Sequence, residues 1–448
     1  MRDRVIVGLA RLLTRAFFRS VEVEGTPPAP GAPVVLAASH LYGFVDPVVL
    51  VARLGTFPRF LAKATLWSVP PARLALGFAR AIPVHRRQDG AVEGANDGTF
   101  AAAVLALRGG GLVAIFPEGT THDEPTLRPL RTGAARIALE AAAAGVENVS
   151  VVPVGVTYED KVDVRGRALV SYGPPIPVTA PPADGDPRAA VRALTDRLQR
   201  DLQDLTPHFA TTEEALALQA AATITLTVDG DPPLLADVSA RARRLARLDD
   251  DRRRDLVDLV ARYRMLLGFV DLDDADVARR DVLGVLARRL VVLAVLGVLL
   301  APFAVAGLFA NLVPAVLVLG AGLVVRAPVS KGTVRLLVAL VAFPVMWGVW
   351  AWQDSGTGAL SDLARQVTAP VAVVVGPDAV DRSGALADAL AVLVAPILGG
   401  VALVLLERVR VLLAGVVRWR TLIDRRGQLD EVRARRAEVV ETTLRALR

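Results

Sequence analysis

The chain has 448 residues, too long for one ordinary domain, and 53% of them are hydrophobic. Basic residues outnumber acidic ones by 52 to 46, for a net charge of +6, and only Lys63, Lys161 and Lys331 among them are not arginine. The absence of cysteine excludes disulfides, a thiol nucleophile and a cysteine metal site. A basic balance combined with long apolar segments beyond residue 288 favours an anionic membrane surface as partner, and no nucleic acid.

In chain order, residues 1–20 come first. Val5, Leu9, Leu12, Leu13, Phe17 and Phe18 share roughly one helical face, with Arg4, Arg11, Arg15 and Arg19 elsewhere. Arg11 and Arg15 interrupt any signal-peptide core, so the segment is expected to be an amphipathic helix lying in a membrane interface. The alternative is a basic helix packed on the domain behind it.

Residues 21–180 alternate strand and helix patterns. Strands are predicted at Val34–Ser39, Arg59–Ala64, Ala81–His85, Gly111–Phe116, Val149–Tyr158 and Leu169–Tyr172. Helices at Pro47–Leu54, Pro71–Arg80, Thr99–Leu107 and Thr132–Ala143 fall between them. This alternation predicts an α/β domain with a mixed, largely parallel sheet flanked by helices. A Pro-rich joint, PPIPVTAPPADGDP, closes it, and residues 181–287 read as a charged helical region with no chemistry of its own.

From Leu290 to Val325 there is no charged residue. At 1.5 Å per residue the run is too long for one crossing of a ~30 Å hydrocarbon core. Asn311 and Pro314 offer a hairpin tip, between two full spans or within a re-entrant hairpin. Leu336–Trp352 and Ala385–Leu406 add two segments, so residues 288–406 are expected to hold about four, followed by a basic helical tail at 407–448. Arg288 and Arg289, Arg326, Lys331 and Arg335, and Arg408, Arg410, Arg418 and Arg420 flank these segments. The loop Gln353–Gly384 is acidic, with Asp354, Asp362, Asp378 and Asp381. An even number of segments then puts the α/β domain and the tail in the cytoplasm by the positive-inside rule.

Four blocks could carry chemistry. In APVVLAASHLYGFVDPVVL an apolar strand delivers His40 to its C-terminal end, where α/β sheets place reactive groups. A neutral imidazole there can take a proton from a hydroxyl, and Asp46 is close enough in sequence to orient it. Asp46-Pro47 is equally a helix N-cap signal. ARAIPVHRR ends a strand in Arg86 and Arg87, able to grip phosphate, although solvated surface arginines are the commoner meaning. The strand Leu112–Phe116 delivers Pro117-Glu118-Gly119-Thr120, in which Gly119 allows positive φ or close approach of a ligand. Gly109–Gly111 lacks the Gly-Lys-Ser/Thr of a phosphate loop, and His122 with Asp123 is too few ligands for a metal. The fourth block, VSVVPVGVTYE, reads alone as a core strand broken by Pro153 and Gly155.

In order and spacing, His40 with Asp46, Ile82-Pro83-Val84-His85-Arg86, Phe116-Pro117-Glu118-Gly119-Thr120 and Val152-Pro153-Val154-Gly155 together resemble the PlsC-type phospholipid/glycerol acyltransferases. Lys63-Ala64 matches a further element. Five residues separate His40 from Asp46 where that family usually has four. This spacing, with RRQDG, EGTTHDEP and KGTVRLL, resembles a branch of glycerol-3-phosphate and dihydroxyacetone-phosphate acyltransferases with a C-terminal membrane extension. The resemblance implies His40 as general base oriented by Asp46, Arg86 and Arg87 on the acceptor's phosphate, Glu118, Gly119 and Thr120 lining the acceptor site, and Pro153 shaping the acyl site. It implies no metal or bound cofactor. Acyl-CoA or acyl carrier protein would be the donor and a phosphorylated glycerol the acceptor. No serine or cysteine stands in a nucleophile elbow, so direct transfer is expected. Another lipid acceptor, or a non-catalytic lipid-binding role, is the alternative.

Overall fold

The apolar run Val34–Ala38 forms strand β2, buried at every residue because packing covers both faces of the sheet. The computed structural model describes residues 2–68, 70–86, 90, 92, 94–160, 165–182, 184–206, 208–279, 281–326, 328–357 and 384–448. Two compact units emerge. One comprises Met1–Thr227, Pro232–Tyr263 and Ala437–Arg448, and the other Val228–Asp231 and Arg264–Arg436.

In the first unit, helix α1 (Arg2–Phe17) leads into β1 (Phe18–Glu24), followed by β2, α2 (Val45–Leu54), β3 (Arg59–Lys63), α3 (Pro70–Phe78) and β4 (Ile82–Val84). Then come α4 (Asp97–Arg108), β5 (Leu112–Ile115), α5 (Gly133–Ala143), β6 (Ser150–Tyr158), β7 (Gly166–Tyr172) and β8 (Ile176–Pro177). The sheet order is β1-β7-β6-β2-β5-β3-β4, with β8 also on β6. Strands β6, β2, β5, β3 and β4 run parallel, and β7 and β8 are antiparallel to β6. The mixed, largely parallel sheet is as the alternation predicted. Strands β1 and β8 were not anticipated.

One side of the core joins Val35, Val113 and Val151 of the sheet to Leu107, Ile137 and Ala141 of the helices. Leu198 and Leu202 of α6 (Pro187–Leu205) are part of the same cluster. The α/β core therefore extends past the Pro-rich joint, because the apolar stripe of α6 is needed to cover it. Helix α1 packs Val7 and Ala10 on Val51 and Ala52 of α2. Its residues Val5, Leu9 and Leu12 stay exposed, so the helix both docks on the domain and presents an outward apolar face. Phe18, placed on this helix by periodicity, instead begins β1 and is buried.

The remaining helices are α7 (Thr212–Leu226), α8 (Leu235–Ala246), α9 (Asp250–Val270), α10 (Asp274–Ala278), α11 (Val282–Val324), α12 (Pro328–Thr357), α13 (Gly384–Asp424) and α14 (Arg426–Ala446). Within α11 and α12, Gly284–Val324 and Ser330–Trp350 are long and apolar enough to cross a membrane.

The hairpin expected at Asn311 and Pro314 is not present, since α11 runs unbroken for 43 residues. Pro314 has no N–H, which frees the carbonyl of Ala310 one turn earlier. The Trp350 indole of α12 donates to that carbonyl at 3.0 Å. Asn311 bonds Gly307 O and Ala395 O at 2.9 Å each and accepts from the Trp347 indole at 2.9 Å, tying α11 to α12 and α13. A broken helix is unnecessary when neighbouring helices satisfy the freed groups. Both α12 and α13 pack antiparallel to α11, with Arg335 against Gly322 and Leu286 against Gly415. Arg288 and Arg289 therefore lie at the opposite end of α11 from Arg326, so the basic clusters do not all share one side. In the expected acidic loop, Asp362, Asp378 and Asp381 lie outside the described residues.

Candidate active site

Because five adjacent strands run in parallel, the loops leaving β2, β3, β4 and β5 emerge along one margin of the sheet. His40, Lys63, Arg86 and the Phe116–Thr120 turn lie on that margin. The loop after β2 is pinned to β6, as Ser39 N–H donates to Val154 O at 3.0 Å and Ser39 Oγ accepts from Val156 N–H at 2.9 Å.

His40 Nδ1 lies 2.9 Å from Asp46 Oδ2. The ring stacks on Phe116 with centroids 4.1 Å apart, and Phe116 stacks in turn on Phe60. A carboxylate on Nδ1 fixes the tautomer that leaves a lone pair on Nε2, and the side chain remains 17% exposed. Asp46 itself is fully buried. Its Oδ2 also accepts from Tyr42 N–H at 2.9 Å, and its Oδ1 accepts from the Tyr158 hydroxyl at 2.6 Å. The N-cap of α2 is Phe44, with no side-chain capping bond. The capping alternative for Asp46 is thus set aside, because the carboxylate turns back toward His40. Burial, and then the Asp46 charge, push the Tyr158 phenol well above its ordinary pKa.

Glu118 is a brace. Its side chain is buried, with Oε1 accepting His40 N–H at 2.8 Å and Oε2 accepting Arg128 N–H at 3.0 Å. His122 Nε2 reaches the same Oε2 at 2.6 Å. Both oxygens are engaged by the scaffold, so Glu118 supports the His40 loop from within where an acceptor-lining role was expected. Gly119 has φ +75°, and a Cβ there would stand 2.5 Å from Arg131 Nε. The positive φ is what favours glycine here, and Arg131 packs across the bare backbone, with its N–H donating to Pro117 O at 2.8 Å. Thr120 follows, half-buried, at the same turn.

Arg86 lies half-buried beyond β4, whose end is held by Asn96 through two bonds to the His85 backbone, 2.8 Å and 2.7 Å. Arg87 lies outside the described residues. Pro153 is buried inside β6, and the strand is continuous. It falls where the partner of β6 changes from β8 to β7, so its missing N–H interrupts no ladder, while its carbonyl accepts Gly173 N–H at 2.9 Å.

The Acyltransferase family model matches residues 20–157, the span that holds every one of these groups except Tyr158, one residue beyond it. Residues 20–157 are an acyltransferase-family domain. Two Saccharomyces cerevisiae relatives are similar to this chain. Glycerol-3-phosphate O-acyltransferase 2 is 34% identical over 190 residues, 41% of this chain and 26% of that protein. Glycerol-3-phosphate O-acyltransferase 1 is 32% identical over 124 residues, 26% of this chain and 16% of that one. The matched region thus spans about a quarter or less of the relatives' own length. The crystal structure of the 1-acyl-sn-glycerophosphate acyltransferase PlsC from Thermotoga maritima aligns with 46% of this chain and 83% of that one, at 19% identity and a TM-score of 0.34.

Three residues of this acyltransferase domain and its flank escaped the sequence reading. Tyr158 stood inside the fourth block, and a phenol ending a run of buried aliphatics was the available signal. His122, which with Asp123 is too few ligands for a metal, instead braces Glu118, and its Nδ1 is buried without a partner among the described residues. Arg131 gave no local signal, since its place over Gly119 depends on the closure of a loop.

Proposed function

We propose that this protein transfers a fatty acyl group from acyl-CoA or acyl carrier protein to a hydroxyl of glycerol 3-phosphate or 1-acylglycerol 3-phosphate in phospholipid synthesis. The observation that carries this reading is His40, held at Nδ1 by buried Asp46 with its side chain 17% exposed, at the strand margin of an acyltransferase-family domain. Two relatives named for glycerol-3-phosphate acylation support the acceptor.

The acceptor hydroxyl gives its proton to Nε2 as its oxygen attacks the thioester carbonyl. The tetrahedral intermediate expels a thiolate, which takes the proton from the imidazolium and leaves ester and thiol. Asp46 stabilises the imidazolium between these steps. General-base catalysis contributes roughly 10²–10⁴-fold, and holding both substrates in register contributes more. Arg86 is the cation that the family resemblance assigns to the phosphate, with Gly119 and Thr120 lining the acceptor site and Pro153 on the acyl side.

The reading places the domain on the cytoplasmic face of the cell membrane, with membrane lipids as partners. Two apolar helices support membrane association. Arg288 and Arg289 share one end of the antiparallel α11–α13 pair with Arg408, Arg410, Arg418 and Arg420, which supports a cytoplasmic position for that end.

The test uses the full chain in lipid nanodiscs with labelled acyl-CoA and, side by side, glycerol 3-phosphate, dihydroxyacetone phosphate and lysophosphatidate. Ester should form on at least one, and His40→Ala should lose roughly 10²–10⁴-fold while the chain still folds. Transfer to none of the three, or turnover kept by His40→Ala, would overturn the proposal.

A further inference from the structure

Arg288 and Arg289 are the charged residues of the otherwise apolar stretch Gly284–Val324 of α11. They lie roughly 6–8 Å along it at 1.5 Å per residue, which suits the headgroup layer of a bilayer, itself ~5–8 Å thick on each side. Helix α13 runs alongside and offers a bare backbone there. Arg289 Nη1 lies 3.4 Å from where a Cβ on Gly415 would stand.

This seam gathers positive charge. Arg279, Arg288 and Arg418 are all close enough to Arg289 to act on its charge, as is Asp276. Arg418 pairs with Asp273 and, through Nε at 3.3 Å, with Asp276. Arg279 Nη1 lies 3.9 Å from the same Asp276. The nearby acids are otherwise engaged, since Asp274 pairs with Arg436 and Asp281 accepts the Gly284 N–H as cap of α11. Four guanidinium groups therefore share two carboxylates, Asp273 and Asp276. Among the described residues Arg288 and Arg289 make no ion pair, and Arg279 Nε is buried without an acceptor. Like charges held together beside apolar surface are stabilised by an arriving anion.

The surroundings select the kind of anion. Leu290 and Val291 of α11 and Leu413, Val416 and Val417 of α13, the apolar neighbours of these arginines along the two helices, are exposed. We propose that the α11–α13 seam at Arg288 and Arg289 binds the phosphate of an anionic glycerophospholipid, whose acyl chains cover those apolar residues. The planar fork of a guanidinium meets phosphate oxygens in pairs and stays charged at any working pH. Arginines that only oriented the helices in the membrane would gain nothing from converging on one seam. The site does not depend on the acyl-transfer reading, because binding is measured without turnover.

The experiment purifies the full chain in a neutral detergent and adds phosphatidylglycerol, phosphatidylcholine or inorganic phosphate. Bound lipid is counted by native mass spectrometry, and the unfolding midpoint is followed beside it. Phosphatidylglycerol should stay bound and raise the midpoint, and phosphatidylcholine should do neither. Arg288→Gln with Arg289→Gln should weaken phosphatidylglycerol binding roughly 10–30-fold while the chain still folds, since no ion pair is broken. Arg288→Lys with Arg289→Lys should recover part of that loss. Arg420→Gln with Arg425→Gln removes the same charge from exposed positions at the end of α13 and should bind like the parent. No phosphatidylglycerol on the parent, equal binding of phosphatidylcholine, equal loss in the two glutamine pairs, or the same midpoint rise from inorganic phosphate alone would overturn the site.

Discussion

The Tyr158 hydroxyl donates at 2.6 Å to Asp46 Oδ1, the oxygen that His40 leaves unused. Asp46 is thus held from three directions, and the imidazole it orients inherits that rigidity. A hydrogen bond to a buried charged group is worth roughly 1.5–3 kcal/mol. Tyr158→Phe keeps the ring contacts with Phe18 and Tyr42 and removes only the donor. It should lower unfolding stability by about that amount and kcat by roughly ten-fold, with KM nearly constant. Steady-state kinetics beside thermal unfolding checks both.

Buried phenols also set an alkaline limit. Burial raises the pKa of Tyr158 and of Tyr172 in the fold. An unfolded tyrosine ionises near pH 10, so below that value both states keep the proton and the contribution is present in full. As pH rises above 10 only the unfolded chain releases its proton, and stability falls by about 1.4 kcal/mol per unit for each residue until the folded value is reached. Tyr158→Phe and Tyr172→Phe should each make this fall shallower. Their effects at neutral pH should differ in sign. The Tyr172 hydroxyl is buried without a hydrogen-bond partner among the described residues, so removing it should leave stability equal or higher. Denaturation midpoints between pH 7 and pH 11 would show this, and parallel curves would contradict it.

Asp46→Asn separates charge from shape. An asparagine can keep its oxygen toward His40 and Tyr42, with its amide toward a Tyr158 hydroxyl that turns to accept. Folding should survive, but no negative charge remains to stabilise the imidazolium. Turnover should fall on the order of 10³-fold. Activity within a few-fold of the parent would mean that Asp46 only shapes the loop.

For Glu118→Gln the expectation reverses. His40 N–H, Arg128 N–H and His122 Nε2 converge on its two oxygens, and an amide turns one acceptor into a donor facing them. Loss of about 1–3 kcal/mol of stability is expected, together with reduced kcat as the His40 loop loosens. A fully stable, fully active variant would show that the brace is dispensable.

In the apolar unit, Trp350→Phe should destabilise by about 1–2 kcal/mol, because Ala310 O loses its donor beside Pro314. Pro314→Ala restores an N–H to the helix, so the tryptophan should matter less in that background. A double-mutant cycle measured by unfolding in detergent reads this coupling. Strict additivity would exclude it.

Strand and helix identities between Val34 and Tyr172 were legible in the sequence because buried parallel strands demand continuous β-branched runs and short Gly or Pro boundaries. For the same reason His40 and the Phe116–Thr120 turn could be set at strand ends from local pattern alone. Strand β1 was not anticipated because its first residues, Phe18–Ser20, fall within the segment read as the basic helix, and what remains, VEVE, is a short polar alternation that pairing with β7 holds extended.

The sequence by itself determined most strands of the sheet and the nearness of His40 to Asp46, each of which depends on residues within a few positions of one another. Tertiary structure alone decided which groups complete them. Tyr158 reaches Asp46 across 112 positions, Trp350 replaces the donor that Pro314 lacks, and Arg131 finds its seat on Gly119 only after a loop has closed. A buried polar atom must be satisfied by whatever segment folding brings to it, and that segment leaves no mark in the local pattern.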